Sequence, residues 1–465
     1  MNQFFKIQER GSTVRTEVMA GLTTFMAMAY ILMVNAGMFA ELDGVTYNAV
    51  YIATAISAVV GTVLIGLLSN LPLGQASGMG LNAFFVYTVC MGFGLTYANA
   101  LVLVLIDGIV FILLTITGLR QKIFDAIPHT VRVAIPAGIG LFIAFLGLQN
   151  AGLIVNSSST CVTLASFNIL NGTASWATIM PLLVTILAVI AIAVMSARGF
   201  KGAVIWGILG GAVLYYLLGF TVSGFYDGFA AGLSFNPLSA FGDFFHLSFG
   251  KVFTDGLDFS AYLQTHDTTS LVILIATTAL AFCLVDMFDT LGTLYGACAR
   301  GNMLDKDGNV PNMERAMLAD AIATTTGAIC GTSTVTTFVE SSAGIAEGGR
   351  TGLTSLVTAA LFFVAMFLSP VAALVPSCAT AAALIYVGVL MMHCVKDIDW
   401  TNAAVAVPAF LTIAMMPFAY NISYGISFGI FSYILISLFT GKAKEIKVGT
   451  WVIGILFAAM FLLTH

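Results

Sequence analysis

The sequence predicts an all-α polytopic membrane protein of about fourteen transmembrane segments, built as two inverted repeats of seven, with short strands before a broken third and a broken tenth helix. Three observations carry this. The 465 residues are 59% hydrophobic and only 8% charged, far more apolar surface than a soluble chain of this length can hide. The apolar residues form long continuous runs between short polar breaks, unlike the alternating pattern of a membrane barrel. Two segments, 71–88 and 331–349, are too short and too rich in Gly, Ser and Thr to cross as plain helix.

In order, the apolar segments fall near 16–40, 47–69, 78–92, 97–118, 133–154, 177–197 and 203–221. After a polar break they resume near 270–296, 314–329, 338–346, 352–375, 378–394, 402–418 and 422–440. Residues 1–221 make the first repeat and 270–440 the second, with 222–269 as the loop between them. A last apolar run, 449–463, follows Lys442, Lys444 and Lys447. It is short for a span and is expected as a peripheral helix within the 441–465 tail.

Lys and Arg set the orientation. Lys6, Arg10, Arg15, Arg120, Lys122, Arg132, Arg198, Lys201, Arg300, Lys306, Arg315, Arg350 and Lys396 fall on one side when the spans are counted this way, and Lys251 on the other. The chain is therefore expected in the cell (inner or plasma) membrane, multi-pass, with a cytoplasmic N-terminus. The basic and apolar residues interleaved over 119–132 read as a surface helix on that same side. The net charge of −5 is spread over loops and implies no nucleic-acid partner; membrane lipid is the expected surroundings. The seven cysteines lie mostly in or beside apolar runs and show no metal or disulfide spacing. The first segment is too long for a secretory signal and lacks a small-residue cleavage site.

The two broken segments read "LPLGQASGMGLNAFFVYT" (71–88) and "GTSTVTTFVESSAGIAEGG" (331–349). Each begins extended, reaches a polar residue (Asn82 or Glu340) and continues as a helix of a few turns. They are the third and tenth segments, offset by seven, so their directions are reversed. Matching interrupted segments in two halves mark a transporter site near the midplane. Their strands are expected to pair, with the half-helix N-termini offering N–H groups to a shared cavity. Close helix packing through small residues is the competing explanation of these glycines.

The eighth segment, "ALAFCLVDMFDTLGTLYG", places Asp286, Asp289, Thr290 and Thr293 on one helical stripe. Each bare carboxylate at bilayer depth costs a few kcal/mol, on the order of 3, so such groups face an interior cavity and usually serve function. The alternative, pairing with polar groups of a neighbouring helix, stays open for Asp289 in particular. Asp320 and Asp107 read as packing partners. Thr23 and Thr24 of the first segment are candidates to line the cavity, and Phe84, Phe85 and Phe338 flank the polar joins, where aromatic rings suit a flat ligand. Carboxylates plus an amide suit a cation or a neutral ligand rich in N–H donors, not an anion. A carboxyl group in such a site can also carry a proton across, so no cofactor is expected, H+ being the coupling ion. No nucleophile or metal cluster supports an enzyme.

With "GLTTFMAMAYI" (21–31), "PLGQASGMGLNAFF" (72–85), "DMFDTLGT" (286–293) and "GTSTVTTFVESSAGIAEGGRTGLT" (331–354), the chain resembles the nucleobase–cation symporters, specifically the AzgA-like adenine/guanine/hypoxanthine permeases. The resemblance covers nearly the whole chain. It implies a core domain (16–118 and 270–375) and a gate domain (133–221 and 378–440), a homodimer formed through the gate, and elevator-type alternating access. It implies that Asp286, Glu340 and Asn82, with Gly80 beside the amide, hold a purine base, and that Asp289 is a second acidic position needed for transport. Asp286, Asp289 and Glu340 are the candidates for proton coupling; Phe338 and Thr24 complete the expected binding residues. The family often has Pro where this chain has Ser77, which is expected to loosen the strand there. The function implied is import of purine nucleobases by proton symport, guanine and hypoxanthine before adenine. The alternative is a sulfate or dicarboxylate transporter on the same fold.

Overall fold

The computed structural model describes residues 2–118, 126–226, 237–305 and 309–463. The surface helix expected over 119–132 lies partly outside these residues. Among the described residues, nine helices are long and apolar enough to cross a membrane. The protein is thus a multi-pass helical membrane protein.

The chain enters as α1 (Val14–Met28) and α2 (Tyr30–Phe39), one crossing broken at Ala29. Then come α3 (Tyr47–Leu68), β1 (Gln75–Ser77), α4 (Met79–Ala83) with a π-helical continuation to Gly92, and α5 (Tyr97–Thr117). Next are α6 (His129–Asn150), the hairpin β2 (Ile154–Ser157) and β3 (Cys161–Leu164), α7 (Trp176–Ala197) and α8 (Ala203–Gly219). After α9 (Pro237–Leu247) the long α10 (Thr268–Arg300) leads to α11 (Met313–Cys330), β4 (Val335–Thr337) and α12 (Ser341–Ala346). The chain closes with α13 (Gly352–Ala365), α14 (Ser377–Met391), α15 (Ala403–Phe418), α16 (Ile422–Phe439) and α17 (Val448–Leu463).

Two groups of helices result. In one, α3 packs on α11 and α13, α5 on α11, and α1 on α13; in the other, α6 packs on α14 and α15, α7 on α8 and α14, and α15 on α16. Glycines set the closest crossings. A Cβ on Gly352 would overlap the carbonyl oxygen of Gly66, joining α13 to α3, and one on Gly388 would overlap that of Gly140, joining α14 to α6. In lipid, where apolar side chains gain little by leaving one hydrocarbon for another, such close backbone approach is the main source of helix association. The last helix, α17, packs one face (Phe457, Met460) on α10 and α16 and leaves Val448, Ile455 and Leu462 exposed.

The entry to α13 depends on a residue with no obvious role in the sequence. Glu17, fully buried on α1, accepts from the backbone N–H of Arg350 (3.0 Å) and Thr351 (3.2 Å) and from the Thr354 hydroxyl (2.5 Å). Its carboxylate therefore holds the two N–H groups just ahead of α13, and it stands where the helix dipole favours a negative charge. The first N–H groups of the helix itself go to Asn70 Oδ1 (Gly352, 2.8 Å) and the Thr351 hydroxyl (Leu353, 3.3 Å). Glu17→Ala is expected to strand the donors that the carboxylate holds and cost roughly 2 kcal/mol or more, read as a lower melting temperature of the detergent-purified protein.

Candidate substrate-binding site

The two interrupted segments meet. Strand β1 pairs antiparallel with β4, Gln75 opposite Thr337, Ala76 opposite Thr336 and Ser77 opposite Val335. The pairing continues at both ends, where Gly78 N–H donates to Thr334 O (2.9 Å) and Phe338 N–H to Gly74 O (3.0 Å). Extended backbone at this depth needs partners on its outer edges too. The same device supplies them on both sides. The Thr62 hydroxyl of α3 lies 2.9 Å from Gln75 N and 3.0 Å from Gln75 O, and the Thr324 hydroxyl of α11 lies 3.2 Å from Val335 N and 3.0 Å from Val335 O. A threonine is short enough to reach both main-chain groups while it stays on its helix.

Glu340 lies between β4 and α12, three residues beyond the strand. The Tyr30 hydroxyl, on the opposite side of the break in the first crossing, donates to its Oε1 at 2.7 Å. Tyr30 is fully buried, whereas Glu340 and Asp289 keep partial exposure. Asp289, on α10, is the electrostatic neighbour of Glu340. Phe338 is buried just before Glu340. The first N–H groups of α12 are not free as expected. Those of Ser341, Ser342 and Ala343 donate to Phe338, Val339 and Glu340 carbonyls at 3.1, 3.0 and 2.9 Å in tight i−3 turns.

Asp286, one turn before Asp289, is fully buried and looks another way. Thr324 donates to its Oδ2 (3.3 Å), and Asp320 and Asp289 are its electrostatic neighbours. Asp107 on α5 borders Asp286 and the Cys283 thiol. Asp320 is a tie between elements, as its sequence context indicated. It accepts from Gln75 Nε2 (2.8 Å), from Thr290 (2.8 Å) and from Thr337 (3.4 Å), joining β1, α10 and β4 to α11. The carboxylates Glu340, Asp289, Asp286 and Asp320 are thus linked as electrostatic neighbours, the first two partly exposed and the last two fully buried.

In the first half, Asn82 turns back on its own strand. Its Oδ1 accepts from the Ser77 hydroxyl (2.7 Å) and its Nδ2 donates to Ser77 O (3.3 Å). The Ser77 hydroxyl also lies 3.0 Å from that of Thr332, which accepts from Asn35 Nδ2 (2.9 Å). Ser77 therefore ties the strand to its half-helix, contrary to the loosening expected from its replacement of proline. Gly80 contacts the other helix group: a Cβ there would stand 2.5 Å from Ile139 Cγ2 on α6. Thr24 is wedged behind the strands against Gly344 of α12, with its hydroxyl buried and without a hydrogen-bond partner. Phe84 and Phe85 are core residues, packed on Phe282 (4.9 Å between ring centroids) and Phe39 (4.8 Å). Among the described residues no group of three His, Cys, Asp or Glu side chains is placed to hold a metal ion.

The model of the Permease family (Xan_ur_permease) matches residues 15–448, from the first crossing to the last helix and across both strands. This chain belongs to that family. Within the family it is 39% identical over 470 residues to the guanine/hypoxanthine permease PbuG of Bacillus subtilis, covering 98% of this chain and 99% of PbuG. It is 36% identical over 457 residues to the adenine permease AdeP of Escherichia coli, covering 98% of this chain and 95% of AdeP. The resemblance read from the motifs is borne out. Among solved structures, the transmembrane domain of the cyanobacterial bicarbonate transporter BicA superposes with a TM-score of 0.60 at 17% identity, covering 88% of this chain and 97% of that one. At that identity the likeness is one of fold.

Proposed function

We propose that this permease imports purine nucleobases by proton symport, guanine and hypoxanthine in preference to adenine. The observation that carries the reading is Glu340. It is a carboxylate placed at the join of a strand and a half-helix, half-open and held by Tyr30, in a chain whose full-length relatives include purine permeases. A carboxylate only accepts hydrogen bonds, so Glu340 reads ring N–H and amino groups of a base. In the other half Asn82, held on Ser77 through both its amide oxygen and nitrogen, has one N–H left to offer a base. Asp289 and Asp286 are the linked neighbours of Glu340, and one of these carboxyls takes the coupled proton. Among the described residues no Lys or Arg forms a salt bridge with Glu340, Asp289 or Asp286, which disfavours an anion as substrate.

The mirrored strands, each held by one threonine, support reading the chain as two inverted repeats of seven segments. The two helix groups then act as core and gate, the core carrying the base past the gate in an elevator motion, with a homodimer built on the gate and the N-terminus in the cytoplasm. Contacts between the groups support the motion because they lie on both sides of the site. Lys201 after α7 pairs with Glu347 after α12. On the far side the Tyr87 hydroxyl donates to Glu41 (2.9 Å) and accepts from Asn150 of α6 (3.2 Å), and the Thr88 hydroxyl donates to Tyr420 O (3.2 Å). Burial pushes the Glu41 carboxyl up, while the Tyr87 hydroxyl pulls it back.

Lys201→Met is expected to open the near side only modestly. The pair is partly exposed, so it is worth about 1 kcal/mol at most and shifts the two populations roughly fivefold or less. Alkylation rates of a cysteine introduced beside Glu347 check this. Function itself is tested by uptake of labelled guanine and hypoxanthine into cells lacking their own purine permeases. Saturable uptake that a protonophore collapses and excess sulfate leaves intact is expected; sulfate flux insensitive to purines would overturn the reading.

A further inference from the structure

We propose that Tyr30 is a positioning residue that decides how Glu340 presents itself to the base; this rests on the purine reading above. Glu340 sits in a turn between strand and half-helix, so no helical face fixes its three side-chain torsions. The Tyr30 phenol, buried at the start of α2, pins Oε1 from across the fold at 2.7 Å. The break at Ala29 is what sets it there. Met28 packs into the space that Gly74 leaves empty, a Cβ on Gly74 standing 2.5 Å from Met28 Sδ, and the helix restarts with Tyr30 aimed at Glu340.

Two consequences follow for recognition. A carboxylate already oriented loses less side-chain freedom when the ligand arrives, which favours binding. And with Oε1 held by the phenol, Oε2 is the oxygen turned to the ligand. The site then reads a single N–H rather than a side-by-side pair. Guanine carries such a pair, its ring N1–H beside the 2-amino group, and hypoxanthine carries only the ring N–H. Tyr30 therefore keeps hypoxanthine competitive with guanine.

The test is Tyr30→Phe, with KM and maximal uptake rate measured for hypoxanthine and guanine and normalised to protein in the membrane. The KM for hypoxanthine is expected to rise about tenfold, the loss typical of a hydrogen bond to a charged group. The KM for guanine is expected to rise less, since the freed carboxylate takes its donor pair, so the ratio moves at least about threefold towards guanine. Unchanged KM values, an equal rise for both bases, or a fall in maximal rate alone would overturn the assignment. If the phenylalanine variant does not reach the membrane, Tyr30→His restores a ring N–H donor. Its purified form should still be stabilised against heat by hypoxanthine, and loss of that response overturns the assignment. Absence of any purine uptake by the wild type is a separate outcome, which overturns the purine reading and the role of Tyr30 with it.

Discussion

Glu340→Gln is expected to reduce purine uptake at least a hundredfold while the protein still reaches the membrane. The substitution is nearly isosteric, so packing around Tyr30 and Phe338 stays as it is. The chemistry changes in two ways. The amide offers one acceptor oxygen instead of two, and its nitrogen turns a donor towards a base that also presents donors. A buried donor facing a donor costs roughly 1–3 kcal/mol, and the charge-assisted bond from the base is lost as well, for roughly another 1.5–3 kcal/mol. Together these reach the expected factor. The amide also cannot take up a proton, so coupling fails wherever Glu340 is the group that carries it. Uptake near the wild-type rate by Glu340→Gln would remove this residue from the site.

Gly352→Ala is the other large effect, and it acts on folding. An added Cβ would overlap the Gly66 carbonyl oxygen, which is backbone and cannot rotate aside. Helices α13 and α3 must then separate, and the hydrogen bonds of Ser355 Oγ to Leu71 O (2.7 Å) and from Leu73 N–H (2.9 Å) stretch with them. Overpacking of this kind costs about 3 kcal/mol or more, a large share of a stability of roughly 5–15 kcal/mol. The detergent-purified variant is expected to melt well below wild type or to aggregate. Gly37→Ala on α2 is the control, since its Cβ meets nothing within 4 Å. It should match wild type or exceed it slightly, because alanine is the better helix former.

Much of this architecture was legible in the sequence because membrane insertion imposes strong local rules. The segments expected at 47–69, 97–118 and 177–197 appear as helices Tyr47–Leu68, Tyr97–Thr117 and Trp176–Ala197. The extended starts of the two broken segments were visible as Gly, Ser and Thr where only helix formers belong, and the strands at Gln75–Ser77 and Val335–Thr337 follow. What escaped depends on contacts far apart in the chain. Tyr30 lay inside a recognised motif, yet nothing in "AMAYI" says that its hydroxyl reaches a carboxylate 310 residues later. Nothing in the sequence around Glu17 shows its hold on the entry to α13, which exists only once α13 is placed over it.

Helical spacing put Asp286 and Asp289 on one stripe, correctly, but a stripe is wide. The two differ by three residues, some 60° around the axis. That is enough to leave one partly exposed as an electrostatic neighbour of Glu340 and to bury the other against Thr324. The hairpin at Ile154–Leu164 gave little signal, since its strands are short and nearly all exposed. The π-helical turns at Phe84–Gly92 gave none, because such turns reflect accommodation to neighbouring packing rather than composition.

The most direct measurement is counterflow in proteoliposomes containing the wild-type protein or Glu340→Gln. Vesicles are loaded with unlabelled hypoxanthine and diluted into labelled hypoxanthine at equal pH on both sides, so that exchange reports base binding and translocation without a proton gradient. The expected result is rapid accumulation of label by the wild type, competed by guanine and not by sulfate, and none by the variant. Equal accumulation by both proteins, or wild-type exchange that sulfate competes and purines do not, would contradict a purine site built on Glu340.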